Sequence, residues 1–221
     1  MGFWDTIEKK GWYFFTSLMG GWPETVVVAV ASLLFALAFG LVVALLRLSR
    51  WRALRIPTIA YVEFFRGTPA LVQLFVIYFG FPDVGYQPSV FQAAIIGLGL
   101  NGAAYLSEVY RAGIESIHKG QMEAALSLGM TPASGMRYII LPQAIRTMLP
   151  PITTFSIVLL KDTSIVWAIG VLEIMARARQ LVTETLDSNV IYPMAGIIYL
   201  CMTIPMARIA ARLERSRQAW R

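Results

Sequence analysis

Five stretches of the chain are long and nearly free of charge, each closed by charged or turn-forming residues. Thr25 to Leu46 carries no charge at all. As a helix it is about 33 Å long, enough to cross the hydrocarbon core of a bilayer. Pro57 to Pro82 is the second. Its clean part begins only at Gly67 and contains Gln73, so full length requires Ala60 to Phe65 as well. That places Glu63 and Arg66 near one end, three apart on one helix face and able to pair. Gly67 and Pro69 predict a kink, and Phe81 to Gly85 reads as a turn. The third is Ser89 to Ser107, uncharged throughout, with Asn101 inside it and Glu108 and Arg111 just beyond. The fourth starts near Gln143 and meets Lys161-Asp162-Thr163-Ser164 before a second apolar piece, Ile165 to Leu172. The fifth, Val190 to Ala207, is uncharged and holds Pro193 and Pro205. The pattern predicts an all-α membrane protein with spans over 25–46, 57–82, 89–110, 143–165 and 190–207.

Residues 1–24 do not form a signal peptide pattern. Asp5 and Glu8 sit among the lysines, and Gly20, Gly21 and Pro23 interrupt the apolar run. Residues 1–21 read instead as an interfacial helix, anchored by Phe3, Trp4, Ile7, Trp12, Tyr13, Phe14 and Phe15.

Composition agrees with the pattern. The chain is 57% hydrophobic and 14% charged, with a mean hydropathy of +0.62. A soluble domain has about 45–50% apolar and about 25% charged residues, and 221 residues need a charged surface this chain lacks. A soluble enzyme, a nucleic-acid binder and a disordered chain are disfavoured. One cysteine, Cys201, allows no intrachain disulfide, and one histidine, His118, no Cys/His zinc cluster.

The net charge of +6 follows the spans. Arg47, Arg50, Arg52 and Arg55 directly follow the first and mark a cytoplasmic end. The N-terminus is then outside and the C-terminus cytoplasmic. On that topology the cytoplasmic segments 47–55, 111–146 and 208–221 hold 13 Lys and Arg, including Arg217 and Arg221, and the external ones hold four. No nucleic acid is needed to account for the basic balance. Arg177 and Arg179 fit least, being in an external segment.

Between the third and fourth spans, residues 116–142 carry the most informative pattern. Gln121 to Leu128 are good helix formers. Gly129 suits the left-handed position that ends a helix. Thr131 can cap a second helix with Pro132 first. Two short cytoplasmic helices at an angle are expected.

This stretch resembles the EAA loop of ABC importer permeases: Glu123, Ala124, Ala125, Gly129, Ile139, Leu141 and Pro142 match its residues and spacing. Phe65 to Pro69, Glu108 to Ile114, Gly120-Gln121 and Lys161 to Ser164 resemble the polar amino-acid branch, which includes glutamate/aspartate, glutamine and histidine/arginine permeases. The resemblance covers about residues 22–215. It implies that the loop is a coupling helix docking into a separate cytoplasmic ATPase, with Glu123 in the first turn, where the helix dipole favours it. It also implies a second permease subunit (identical or homologous), two ATPase subunits carrying ATP and Mg, an extracytoplasmic binding protein, alternating access, and the bacterial inner membrane. The motifs lean towards glutamate/aspartate or glutamine. The chain has no Gly-Lys dipeptide and hence no Walker A loop, so ATP hydrolysis falls to partners; no cofactor or metal is expected on this chain, and no catalytic residue.

Charges at membrane depth default to function. Lys161, Asp162, Thr163 and Ser164 could form a substrate site at a helix break, or the two charges could pair with other spans and lock the bundle. Asn101, Tyr105 and Glu108 share a helix face; they either line a path or form an interhelical hydrogen-bond seam. Glu108 with Arg111, and Glu63 with Arg66, are candidate gate or structural pairs. His118 is expected to be solvated, and Met194, Met202 and Met206 to pack. An ion-coupled carrier or channel for small polar solutes is the alternative function. It could use Lys161 and Asp162 equally well, but has no use for the exposed loop.

Overall fold

The computed structural model describes residues 3–218; Arg221 and the side chains of Phe3 and Arg217 lie outside the described part. In chain order the helices are α1 (Phe3–Met19), α2 (Trp22–Arg47), α3 (Arg52–Gly67), α4 (Ala70–Phe75), α5 (Val90–Glu115), α6 (Lys119–Ser127), α7 (Pro132–Gly135), α8 (Leu141–Asp162), α9 (Ile174–Thr185) and α10 (Ser188–Gln218). No strand occurs among the described residues. Trp4–Arg47, Val90–Glu115, Pro132–Ile169 and Ser188–Arg215 are each long and apolar enough to cross a membrane. The pair Arg52–Gly67 and Ala70–Val84 makes a fifth if taken together, but its arms meet at 109°.

That angle corrects the expected kink. Thr68 (φ −117°, ψ 147°) and Pro69 (φ −63°, ψ 134°) are two consecutive extended residues, so the helix stops and restarts. Proline disfavours helical geometry in the residue before it and lacks an N–H for the ladder.

α2 and α5 pack along small residues, as membrane helices do when backbones must approach closely. Gly40 is one point where the approach is set by backbone. A Cβ there would sit 3.0 Å from the Ala103 carbonyl oxygen, which no side-chain rotation can move. Gly40→Val is therefore expected to cost about 1–3 kcal/mol through overpacking. A thermal scan in detergent should show a lowered midpoint; an unchanged midpoint would mean the helices can separate freely.

α1 is only partly the interfacial helix expected. Trp4 and Trp12 are about four-fifths exposed, but Phe14 and Leu18 are fully buried against Ile174, Ala178 and Ile191. One face of α1 thus belongs to the protein core formed with α9 and α10. The segment read as external is also structured, because it contains α9. Within it the Arg179 guanidinium stacks 3.8 Å above the Trp167 ring, which gives one of the two unexpected basic residues a cation–π partner. Met194 and Met202 pack against the same core, as expected.

Candidate functional site

The break between α3 and α4 opens a cavity of about 790 Å³. Thr68, Pro69 and Ala70 line it from the break, Asn101, Tyr105 and Val109 from α5, and Pro150, Pro151, Thr154, Phe155, Val158 and Asp162 from α8. Glu214 of α10 completes the lining. The helix face carrying Asn101 and Tyr105 thus reaches a real space. Tyr105 stacks on Phe155 with ring centroids 5.8 Å apart.

Asn101 borders the cavity and also forms an interhelical hydrogen-bond seam. Its Nδ2 donates to the Phe65 carbonyl and to Gln73 Oε1, each at 3.0 Å. Gln73 Nε2 in turn donates to Phe65 O, Thr68 O and Thr68 Oγ1 at 2.9, 3.0 and 2.7 Å. The network satisfies carbonyls freed by the helix break and ties them to α5. Gln73 was visible in the sequence only as a polar residue in a span.

Asp162 and Lys161 separate as adjacent helical residues must. Asp162, half-buried, borders the cavity; Lys161 is exposed. Neither forms an ion pair among the described residues. α8 does end at Asp162 and gives way to a 3-10 segment, Thr163–Ile169. Thr163 and Ser164 lie away from the large cavity. Thr163 is fully buried and donates to the Leu160 carbonyl at 2.7 Å. Ser164 borders a separate space of about 270 Å³ with Tyr192 and Tyr199.

Glu108 also lies outside the cavity lining. α5 continues to Glu115, beyond the expected end of the span, and this brings Glu108 and Arg111 within one helix. Glu108 accepts from Arg111 Nε at 3.0 Å and Nη2 at 2.8 Å and pairs with Arg47 of α2. Arg66 Nη1 stands 3.9 Å from Glu108, and its guanidinium lies 5.3 Å from the Tyr105 ring centroid. The expected Glu63–Arg66 pair is therefore not made: Arg66 turns to α5, where a carboxylate and an aromatic ring attract it. One carboxylate joins α2, α3 and α5.

The connection between α5 and α8 holds α6 and α7. Gly129 takes the left-handed conformation (φ 79°) after α6. Thr131 Oγ1 accepts from the Ser134 N–H at 3.2 Å and caps α7. Glu123 and Ala124 are exposed, and Ala125 is buried. Two expectations change, and His118, exposed as expected, gains a capping role. α6 starts at Lys119, so Glu123 is in the second turn, not the first. His118 is exposed, but it is not idle, since its Nδ1 accepts from the Gly120 N–H at 3.1 Å as the helix cap. The second helix is not free-standing, because α7 continues through a π-turn, Met136–Ile140, into α8. Ile139, Leu141 and Pro142 stand at that junction, Pro142 exposed at the start of α8.

Residues 36–218 match the family model described as binding-protein-dependent transport system inner membrane component. The chain belongs to this family. Among similar proteins, a probable amino-acid permease protein, YxeN, of Bacillus subtilis (strain 168) is 40% identical over 205 residues, 91% of this chain and 92% of that one. The L-cystine transport system permease protein TcyB of the same organism is 38% identical, over 96% and 92%. A solved structure described as an amino acid ABC transporter with histidines has a TM-score of 0.88 and 33% identity, over 98% of this chain and 99% of that one.

The permease has a further polar centre that the sequence reading missed. Glu173 is fully buried. Its Oε1 accepts from the Ala176 N–H at 2.7 Å, and its Oε2 from the Met175 N–H at 2.8 Å and the Tyr199 hydroxyl at 2.6 Å. Thr25 Oγ1 accepts from the Ile174 N–H at 3.3 Å. The centre joins α2, α9 and α10. The only signal in the sequence was a carboxylate one residue before a helical run, a common capping pattern.

Substitutions at Asp162 and Asn101, which both line the cavity, are expected to differ in effect. Asp162→Asn should raise the KM for uptake about tenfold or more, the scale of one lost charge-assisted hydrogen bond, with an unchanged thermal midpoint. Asn101→Ala should mainly lower the midpoint. Uptake against substrate concentration and a thermal scan on both variants check this; an unaltered KM in Asp162→Asn removes the aspartate from the site.

Proposed function

We propose that this chain is the permease subunit of an ATP-binding-cassette importer for amino acids in the bacterial inner membrane. It pairs with a second permease subunit, is driven by two cytoplasmic ATPase subunits that bind ATP and Mg, and receives substrate from an extracytoplasmic binding protein. The N-terminus lies outside and the C-terminus in the cytoplasm. One observation carries the reading: the exposed α6–α7 connection joins α5 and α8, the two helices that form most of the cavity wall. A force on this connection is delivered to both walls, and α7 is continuous with α8 through helical geometry. Such a stiff link suits alternating access, in which movement of an attached motor opens and closes a path. Glu123, Ala124 and Ala125, with Gly129, Ile139, Leu141 and Pro142, form the coupling element.

Substrate chemistry follows from the lining. Among the described residues of the lining, Asp162 and Glu214 are the charged members and none is Lys or Arg. The C-terminal end of α8 adds the negative end of a helix dipole. An ammonium group is favoured there, beside hydroxyl and amide groups for a polar side chain. Glutamine meets these terms better than glutamate or aspartate, whose side chains would face like charge. The relatives bear names for several amino acids, among them glutamine, arginine and cystine.

ATP-driven uptake in vesicles containing the permease, the ATPase and the binding protein tests the proposal, with a panel of amino acids. Uptake needing both ATP and the ATPase supports it. Uptake by the permease alone, following an ion gradient, would point to a secondary carrier instead.

A further inference from the structure

Residues 50–57 are exposed without interruption, in the connection from α2 into α3. Arg50, Arg52 and Arg55 alternate there with Trp51, Leu54 and Ile56. Trp51 is 67% exposed and Ile56 60%. None of these three arginines forms an ion pair among the described residues, whereas Arg47, just before them, is held by Glu108. The sequence offers them no local partner either: no carboxylate occurs between Glu24 and Glu63.

The start of α3 sharpens the imbalance. Trp51 supplies no side-chain cap, and the first turn holds no acid but two arginines, Arg52 and Arg55. Positive side chains beside the positive end of a helix dipole repel it. A bound anion would relieve both.

The neighbouring helix supplies the second half of a ligand. Leu34, Leu41, Leu45 and Leu48 of α2 and its C-terminal cap lie on one face by their spacing and are all exposed. This apolar stripe leads into the arginines. An exposed tryptophan between arginines, at the end of such a stripe, is the arrangement of a residue held at the headgroup level of a bilayer.

We propose that Arg50, Arg52 and Arg55 bind the phosphate of an anionic glycerophospholipid, with Trp51 at the headgroup boundary and an acyl chain along the leucines of α2. Basic residues next to a span attract anionic lipid, each contributing measurably near the surface. The assignment to the cytoplasmic leaflet rests on the topology proposed above.

The test uses the full-length permease in detergent, with phosphatidylglycerol and phosphatidylcholine of identical acyl chains, read by native mass spectrometry. The unaltered protein is expected to retain phosphatidylglycerol about tenfold better. The triple variant R50Q/R52Q/R55Q should lose the preference, and R50K/R52K/R55K should keep most of it, which separates charge from folding. Equal retention of the two lipids by the unaltered protein, or a preference surviving in the glutamine variant, overturns the proposal. Displacement of the lipid by inorganic phosphate at low millimolar concentration would also overturn it, marking a plain anion site. So would a glutamine variant that keeps its lipid but no longer co-purifies with the ATPase, marking an acidic protein partner. Labelling of a cysteine placed at Ser49, in a Cys201→Ala background, reports the side of the membrane separately. Labelling from outside would reverse the topology and leave the lipid comparison standing.

Discussion

Replacing Glu173 with alanine is expected to destabilise the permease by about 3 kcal/mol or more, the sum of a lost helix cap and an orphaned buried donor. The carboxylate is fully buried and accepts three hydrogen bonds. Two come from N–H groups in the first turn of α9, and losing such a cap costs about 0.5–2 kcal/mol. The third leaves the Tyr199 hydroxyl unpaired, a penalty of about 1–3 kcal/mol for a buried donor. Packing adds to this, because the backbone at Glu173 touches the α1–α2 junction: a Cβ on Gly21 would be 2.5 Å from the Glu173 carbonyl carbon. Little can move to fill the space. Glu173→Gln keeps one acceptor oxygen and should lose less than half as much. A thermal scan in detergent measures both. A Glu173→Ala midpoint within the error of the unaltered protein would show that the centre contributes nothing to stability.

Changing Glu123 to arginine is expected to abolish most ATP-driven uptake while leaving the thermal midpoint unaltered. The side chain is exposed, and no ion pair holds it among the described residues. Exposed substitutions away from special features change stability by within about 0.5 kcal/mol. If α6 docks on an ATPase, reversing this charge places repulsion inside an interface, which suppresses pairing by several kcal/mol. Uptake should fall by at least about tenfold, and the ATPase should co-purify poorly. Full uptake with normal co-purification would remove Glu123 from the coupling surface. The two substitutions are opposites: one carboxylate is buried and hydrogen-bonded within the chain, the other is exposed on it.

Residue type alone does not separate these two carboxylates. Glu123 was found because its neighbours repeat a spaced pattern, Glu-Ala-Ala with Gly129 and the Ile139-x-Leu141-Pro142 run, and local rules for helix ends apply to them directly. Glu173 was overlooked because its donors come from 2, 3 and 26 positions away, and the last contact exists only after α9 and α10 pack. The Glu63–Arg66 expectation failed for the same reason. Spacing of three permits a pair, but α5 presents Glu108 and Tyr105 to the same arginine.

The sequence by itself determined what depends on composition and on neighbours along the chain. Uncharged runs long enough for a bilayer, the breaks at Gly67–Pro69 and Lys161–Asp162, and the turn at Gly129 all follow from bilayer thickness and local backbone sterics. The tertiary structure decided what depends on distant helices meeting. It turned a kink into a 109° bend and closed the bend with Gln73 and Asn101. It placed Asp162 in the cavity while leaving Thr163 buried and Ser164 beside another space. Local geometry sets where a helix can end; only packing sets which side chains then face the space that the ending creates.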